Sequence, residues 1–500
     1  MFLKYGITSV LPYHHNSKLH STTHVNMRSD EGFSGGSQTA VMEMEPTAEA
    51  NRLEVGEVDG TLPTPSTAFP VLQKWNNPRI NMFRVFATFY SFVILGLNDG
   101  AYGALIPYLE EYYHISYIVI SLVFLSPVVG YIGSAATNNM IHMHFGQRGV
   151  AAVCAGSHLI AYAIIAVHPP YPVLVVVFII AGYGNGLADS GWNAWIGDMA
   201  NANEVLGFLH ACYGLGGAIS PLLATTFVTQ VGWQWYEYYY IMVGLAAIEA
   251  VFSMSVFWGA TGPAYIREHP SAARTESPTP EEGLMPETQS KPGLFRISTA
   301  TKSKSRTAEA VTSKITWLCS LFLLIYVGIE VSIGGWVVTF MLRVRHGSPF
   351  ASGLTSTGFW GGITIGRMVL GFVTARLFKT EKHAVATYLV ASIVLQLLFW
   401  LIPTFNVSAV MVAFLGFFLA PLFPAAVVAA TKLLPKHLHV AAVGFASAFG
   451  ASGACILPFA VGAIAQAKGV KVLQPIVLAM LVLCLGVWLW IPKLPKVRVA

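Results

Sequence analysis

The sequence predicts an all-α membrane protein with twelve transmembrane helices in two six-helix halves. Of its 500 residues, 54% are hydrophobic and only 11% are charged, and the mean hydropathy is +0.59. Soluble domains contain about 25% charged residues, so this composition excludes an ordinary soluble protein. A helix needs about 20 apolar residues to cross a bilayer. Such runs occur at 82–107, 116–137, 149–167, 172–197, 205–229, 236–259, 315–341, 350–374, 383–403, 407–433, 438–466 and 472–492.

Hydrophilic segments divide these runs. Residues 1–78 are rich in Ser, Thr, His and Glu and lack a sustained apolar pattern, so we predict a disordered cytosolic tail. Residues 260–313 contain many Pro, Ser, Thr, Lys and Arg, and we interpret them as a cytosolic linker. The linker separates an N-terminal six-helix bundle, 79–259, from a C-terminal six-helix bundle, 314–494. Residues 495–500 form a second cytosolic tail.

The two halves repeat each other. The fifth and eleventh helices share five identities, at Gly207, Phe208, Gly216, Ile219 and Pro221 and at the positions 237 residues later (444 − 207). The first and seventh helices match at an offset of 232 residues (330 − 98), which places Glu330 at the position of Asn98. Two repeated halves are typical of transporters whose site lies at the repeat interface.

Lysine and arginine positions predict the orientation. If both termini are cytosolic, 24 of the 29 Lys and Arg residues lie in cytosolic segments and Arg367 lies within a helix. The predicted outside loops hold the remaining four, Arg343, Arg345, Lys468 and Lys471. This asymmetry follows the positive-inside rule. We therefore expect a multi-pass protein of the plasma membrane or of a vacuolar or other internal membrane, with both termini in the cytosol.

The fourth predicted helix contains the most informative polar residues. Asn185, Asp189, Trp192 and Asn193 follow the spacing of one helix face. An ionised Asp at the centre of a membrane helix costs about 3 kcal/mol on insertion scales. Asp189 therefore needs water, a proton or a partner. We favour a polar cavity wall with a titratable group; the alternative is a packing seam with a protonated Asp.

Three further ionisable residues lie deep in predicted helices: Asp99, Glu330 and Arg367. Together with Asp189 they suggest a pathway for protons or substrate, and we assign proton coupling to Asp99, Asp189 and Glu330. The alternative for Arg367 is a side chain that extends to the cytosolic surface. We exclude Glu249 and His158 from the site, because nothing polar lies one turn from Glu249 on its own helix.

A polar substrate would also need aromatic rings and hydrogen-bonding groups. Sugar rings present apolar C–H faces and hydroxyl edges, so Trp or Tyr rings beside amide and carboxylate groups suit them; the alternative for the aromatic residues is packing or an interfacial belt. Our predicted substrate-binding residues are Asn98, Asn185, Trp192, Asn193, His210, Tyr213, Trp336 and Arg367.

The adjacent residues Asn98 and Asp99 cannot point the same way, because neighbouring positions lie about 100° apart around a helix. We predict that Asp99 lines the cavity in its outer half and that Asp189 lines it nearer the cytosol. In the alternative, Asp99 faces the fifth helix and bonds to His210 or Tyr213, and Asn98 lines the cavity.

These features resemble the major facilitator superfamily over about residues 80–495, and more closely its fucose:proton symporter-like branch, including fungal members. Leu97-Asn98-Asp99 is similar to that branch's Leu-Asn-Asp, whose Asp belongs to the transport site. The run from Gly184 to Asn193 resembles its Gly-x-Gly-Leu-x-Glu-x-x-x-Asn, with Asp189 at the position of the functional Glu. The resemblance implies alternating access and secondary transport. The superfamily's Gly-x-x-x-Asp-Arg-x-Gly-Arg motif, expected in a loop at 138–148, is reduced to Gly146 and Arg148.

The predicted function is secondary transport of a small polar solute, a sugar or a related compound, coupled to protons. One alternative is a facilitator or exporter of amphipathic molecules with the same fold, and another is a sensor or scaffold that does not transport. The sequence contains no nucleotide-binding loop, zinc-ligand pair or nucleophile elbow. We therefore expect no enzyme activity, no metal and no cofactor. Expected partners are the small-molecule substrate, protons and the lipid bilayer; we expect no nucleic acid, and a monomer.

Overall fold

Long helices make up most of the structure. The computed structural model describes residues 73–200, 202–268, 306–435 and 438–494. The described helices of the first half are α1 (Arg79–Tyr113), α2 (Tyr117–Ile120), α3 (Leu122–Ala166), α4 (Tyr171–Gly197), α5 (Ala202–Thr226), α6 (Tyr238–Phe257) and α7 (Gly262–Glu268). A π-helical turn, Phe227–Val231, and a 3₁₀ turn, Trp235–Glu237, join α5 to α6.

The second half has a similar order of helices. Its described helices are α8 (Arg306–Thr312), α9 (Lys314–Arg343), α10 (Pro349–Leu377), α11 (Glu381–Leu401), α12 (Phe405–Leu419), α13 (Leu422–Leu433), α14 (His439–Lys468) and α15 (Leu473–Trp490). A 3₁₀ turn, Val470–Val472, precedes α15. The short breaks between α2 and α3 and between α12 and α13 fall inside single predicted spans.

Ten helical segments in the described residues are long and apolar enough to cross a membrane. One of them, Tyr117–Ala166, covers two predicted spans, 116–137 and 149–167. The predicted span 350–374 corresponds to α10, which has 29 residues but is not among the ten. The helical membrane fold is therefore confirmed, and the helix positions are consistent with twelve spans.

The prediction of a loop at 138–148 is wrong, because these residues are helical. The chain departs from helical geometry only at Gly146, where φ is 69° and ψ is −162°. Polar side chains suggested a loop, but they can face water from a helix that extends beyond the bilayer. Gly146 lies against the end of α6: the backbone N–H of Arg148 donates to the Ala260 carbonyl oxygen at 3.0 Å.

Some predicted segments lie wholly or partly outside the described residues. These are most of the tail at 1–78, the linker residues 269–305, and residues 495–500. In the described parts of the predicted linker, the short helices α7 and α8 occur. The division into tail, bundles and linker stays a prediction.

The repeat is visible in the packing of equivalent helices. A Cβ added at Gly216 in α5 would lie 2.2 Å from the Val93 carbonyl oxygen in α1. A Cβ added at the equivalent Gly453 in α14 would lie 2.1 Å from the Leu324 carbonyl oxygen in α9. Membrane helices approach this closely where small residues leave room for the neighbouring backbone. In each half, therefore, a glycine at the same repeat position brings the first and fifth helices together.

The two halves also touch each other through glycines. We name the end of the bundle where α1 and α9 begin the inner end and the end where they finish the outer end, following the predicted orientation. A Cβ at Gly103 would lie 1.9 Å from the Gly334 carbonyl oxygen, and one at Gly353 would lie 2.0 Å from the Thr225 hydroxyl oxygen. Both contacts lie toward the outer end, so the halves are closed there.

Replacement of Gly146 by alanine tests the break in α3. Gly146→Ala should destabilise the protein by about 1–3 kcal/mol, because an L-residue is strained at positive φ and its Cβ would lie 2.4 Å from the Ala260 carbonyl oxygen. The measurement is thermal unfolding in detergent. The matched control is Gly156→Ala in the same helix, where a Cβ meets nothing within 4 Å and should be neutral or slightly stabilising. Equal melting temperatures for the two variants would contradict the assignment.

Candidate functional site

A cavity of about 570 Å³ lies between the two halves, within the size range of small-molecule sites. Helices α1, α3, α4 and α5 line one side, and α9, α10, α13 and α14 line the other. Leu206 and Ser447, which lie within the first three turns of α5 and α14, are part of the wall. Both helices start at the inner end, so the cavity extends toward that end.

Most predicted site residues lie on this wall. They are Asp99, Asn185, Asp189, His210, Tyr213, Glu330 and Arg367. Asp99 lies on α1, Asn185 and Asp189 on α4, His210 and Tyr213 on α5, Glu330 on α9, and Arg367 on α10. The structure therefore brings together side chains that are up to 268 positions apart in the chain (367 − 99).

Asp99 is surrounded by hydrogen-bond donors. The Asn98 amide donates to its Oδ1 at 3.1 Å, and the Asn185 amide does so at 3.4 Å. The Tyr213 hydroxyl donates to Oδ2 at 3.0 Å. Asp99 thus faces the cavity and also bonds to α5, which combines the two orientations considered from the sequence. Asn98 is fully buried and also donates to the Tyr102 hydroxyl at 2.7 Å; it supports Asp99 rather than lining the wall.

Asp189 lies on an exposed part of the cavity wall. The Asn193 amide donates to its Oδ1 at 2.9 Å, and the Asn193 Oδ1 lies 3.1 Å from His210 Nε2. Asn193 is therefore behind the wall and connects α4 to α5. Its spacing of four residues from Asp189 is what allows the side-chain contact on the helix surface.

Glu330 and Arg367 form an ion pair in the second half, with 3.3 Å between Arg367 Nη2 and Glu330 Oε1. The two side chains are 6% and 19% exposed. Arg367 thus lies inside the cavity, and the alternative of a side chain extended to the surface does not describe it. The pair places a cation and an anion opposite Asp99 and Asp189.

The structure places two predicted tryptophans away from the cavity. Trp192 is 1% exposed and stacks on Phe257, the last residue of α6, with 4.8 Å between ring centroids. Trp336 is fully buried, and its indole N–H donates to the Pro458 carbonyl oxygen at 2.9 Å. A tryptophan that does line the wall is Trp360 in the second half, edge-on to Tyr213 with 6.4 Å between ring centroids.

Sequence reasoning also missed a buried polar cluster behind the cavity. His158 in α3 and Glu249 in α6 are 0% and 1% exposed, with 2.8 Å between His158 Nδ1 and Glu249 Oε2. His158 Nε2 lies 2.9 Å from Asn185 Oδ1, which connects the pair to the wall. The sequence argument left these two residues out of the site because Glu249 has no polar neighbour one turn away on its own helix; in the structure its partner lies on another helix, and neither side chain lines the cavity. Two opposite ionisable types within predicted spans were the available signal.

The ligand atoms of Cys154, His158 and Glu249 lie close enough together to suggest a metal site. Two nitrogen or oxygen ligands of one tetrahedral zinc are about 3.3 Å apart, from bond lengths of about 2.0–2.1 Å. The 2.8 Å between His158 Nδ1 and Glu249 Oε2 is instead a hydrogen-bond distance. The arrangement is that of a hydrogen-bonded pair with a neighbouring thiol.

Comparisons with known proteins agree with this architecture. Residues 88–458 match the family model of the Major Facilitator Superfamily. The chain is 30% identical over 425 residues to Bypass of stop codon protein 6 of Saccharomyces cerevisiae, covering 83% of each chain. It is 24% identical to the glucose/mannose transporter GlcP of Bacillus subtilis, covering 74% of this chain and 85% of the relative.

Solved structures show the same fold. A crystal structure of a D-xylose-proton symporter superposes with a TM-score of 0.61 at 13% identity, over 82% of this chain and 98% of that one. The shared fold, the apolar helices and the cavity between two repeated halves lead to one assignment. The chain belongs to the Major Facilitator Superfamily and is a secondary transporter that crosses the membrane several times.

Proposed function

We propose that the protein is a proton-coupled symporter for a small polar solute, a sugar or a related compound, of the fucose:proton symporter-like branch. The observation that carries this proposal is that three carboxylates line one cavity: Asp99 and Asp189 from the first half and Glu330 from the second. Carboxylates at this depth are costly and mark substrate or proton pathways. The similarity to the glucose/mannose transporter GlcP and to the D-xylose-proton symporter also favours a sugar.

The three carboxylates differ in their surroundings, and this suggests different roles. Glu330 is paired with Arg367 at 3.3 Å. Asp99 accepts hydrogen bonds from two amides and a phenol. Asp189 is the most exposed to the cavity. We therefore assign principal proton coupling to Asp189 and a second protonation site to Asp99, and assign contacts with substrate hydroxyl groups to Asp99 and the Glu330–Arg367 pair.

A sugar ring would lie between polar edges and an aromatic face. Trp360 and Tyr213 meet edge to face across the two halves, at the level of Asp99. The Trp360 indole nitrogen has no hydrogen-bond partner within the described part of the chain. Aromatic rings next to carboxylates and amides match the C–H faces and hydroxyl edges of a sugar. Trp360 takes the place that we predicted for Trp192 and Trp336.

The closed outer end and the cavity that extends toward the inner end correspond to an inward-facing state. Besides the glycine contacts, Arg343 Nη2 lies 3.8 Å from Glu110 Oε2 across the two halves at the outer end. The distribution of Lys and Arg favours a cytosolic location for the inner end. Alternating access then requires the halves to separate at the outer end.

Facilitated transport or export of an amphipathic molecule is a second candidate, and one observation favours it. Much of the cavity wall is apolar, with contributions from Phe92, Leu95, Val123, Phe124 and Phe423. An amphipathic compound could place its apolar part against these residues. The polar residues would then bind only its head. This candidate predicts transport without a pH dependence that is specific to Asp189.

Uptake of a panel of labelled sugars and other polar solutes into proteoliposomes, with and without a pH gradient, tests the first proposal. We expect uphill accumulation that the gradient drives. Asp189→Asn should reduce accumulation to the level of protein-free liposomes while leaving solute exchange intact, because a proton can no longer load at this position. The matched control is Glu111→Gln, an exposed carboxylate at the outer end of α1. Full pH-driven accumulation by Asp189→Asn would disprove the assignment.

Cysteine accessibility tests which residues face the cavity. In a background with the five native cysteines replaced by alanine, Glu330→Cys should react with a polar thiol reagent added from the inner side. Trp336→Cys should stay unreactive, because that position is fully buried. Excess transported solute should slow the reaction at Glu330→Cys. Equal labelling of the two positions would contradict the cavity described above.

A further inference from the structure

The buried polar cluster behind the cavity is defined by Ser91, Cys154, His158 and Glu249. These side chains come from α1, α3 and α6, and each residue is at most 1% exposed. The Ser91 hydroxyl donates to Glu249 Oε1 at 2.6 Å, and the Cys154 thiol lies 3.8 Å from the same oxygen. His158 Nδ1 lies 2.8 Å from the other carboxylate oxygen, Glu249 Oε2. The carboxylate therefore receives donors on both of its oxygens.

His158 has an oxygen atom within hydrogen-bond distance of each ring nitrogen. Its Nδ1 faces the Glu249 carboxylate and its Nε2 faces the Asn185 carbonyl oxygen at 2.9 Å. An ionised carboxylate and an amide carbonyl oxygen are both acceptors only. The imidazole therefore donates from both nitrogens, which makes it an imidazolium balanced by Glu249. A buried charge is tolerated when it is paired and hydrogen-bonded in this way.

The orientation of the Asn185 amide is fixed from its other end. The Asp99 carboxylate is an acceptor, so the Asn185 NH₂ group points to Asp99 Oδ1 at 3.4 Å and leaves the carbonyl oxygen toward His158 Nε2. If His158 Nε2 lost its proton, that nitrogen would become an acceptor, and the amide would turn to donate to it. The Asn185 carbonyl oxygen would then face Asp99 and repel an ionised carboxylate.

We propose that the His158–Glu249 ion pair is a positioning element that holds the Asn185 amide with its NH₂ group toward Asp99 and so sets the pH at which Asp99 takes up a proton. The inference rests on the proposed function in one respect, since it gives the pair a role in proton coupling. His158 and Glu249 do not touch the substrate in this scheme. They act through Asn185.

The other groups that face the pair are consistent with this role. On α3, the Tyr162 ring stacks on His158 with 5.7 Å between centroids and 10° between planes, and Cys154 lies 3.9 Å from Nδ1. On α1, Ser91 contacts Glu249, and Tyr90 donates to the Leu245 carbonyl oxygen one turn from Glu249. On α4, Asn185 is the link to Asp99. Among these contacts, the connection to the cavity runs through one amide.

The test is a titration of Asp99 in the purified full-length protein. Infrared difference spectra between acid and neutral pH show the C=O band of protonated carboxyl groups, and the Asp99 band is the one that Asp99→Asn removes. Glu249→Gln should move the midpoint of this band to higher pH by about one unit, the size expected for one hydrogen bond to a charged group. Without the carboxylate, both orientations of Asn185 are equally available, and ionised Asp99 loses a donor for part of the time.

A double-mutant cycle separates the proposed link from general disturbance. Asn185→Leu should shift the midpoint in the same direction, and Glu249→Gln added to it should produce no further shift. If Glu249→Gln alone does not fold, His158→Gln/Glu249→Gln removes both charges together and should show the same shift. The matched control is Tyr162→Phe, which keeps the ring stack and removes a buried hydroxyl that has no partner within the described residues.

Titration does not require a transported solute, so its result is independent of the uptake assay. A midpoint in folded Glu249→Gln that equals the Tyr162→Phe value would overturn the inference, even if proton-driven uptake is demonstrated. Additive shifts for Glu249→Gln and Asn185→Leu would also overturn it. Failure of uptake together with a non-additive shift would leave the link intact and disprove the proposed function alone.

Discussion

Every ionised side chain within the membrane needs a partner or water, and the arrangement of this protein depends on that constraint. Glu330 is paired with Arg367, and Glu249 is paired with His158. Each pair lies within one half of the molecule. The halves can therefore move relative to each other without separating either buried pair, a step that would leave an uncompensated charge and cost about 3–5 kcal/mol.

Contacts between the halves are of a different kind. The ion pair that crosses them, Glu110 with Arg343, has an arginine that is 54% exposed and a separation of 3.8 Å. Exposed pairs of this type contribute about 0–1 kcal/mol. Beside it, the backbones at Gly103 and Gly334 pack by van der Waals contact. Such an interface closes the outer end tightly but can open at low cost, as alternating access requires.

The local sequence pattern was sufficient to predict most of the helices and part of the site. The predicted span 172–197 corresponds to Tyr171–Gly197, and 315–341 corresponds to Lys314–Arg343, because the length of an apolar run is a property of the chain itself. Asp99, Asp189, Glu330 and Arg367 were predicted as site residues because they are ionisable and lie deep in predicted spans, and all four lie on the cavity wall. The side chains that contact these four residues were not predictable. The sequence shows which residues share a face of one helix, but it does not show which other helix packs against that face.

The sequence alone determined that this chain is a two-half helical membrane protein with carboxylates deep in its spans. Only the tertiary structure decided which polar groups meet. His158 and Glu249 are 91 positions apart, and Asn185 and Asp99 are 86 apart, so no spacing rule within one helix connects them. Tertiary packing likewise decided that Trp192 stacks on Phe257 while Trp360 lines the cavity. The physical reason is that helix periodicity is local, whereas burial and partnership depend on how distant helices pack.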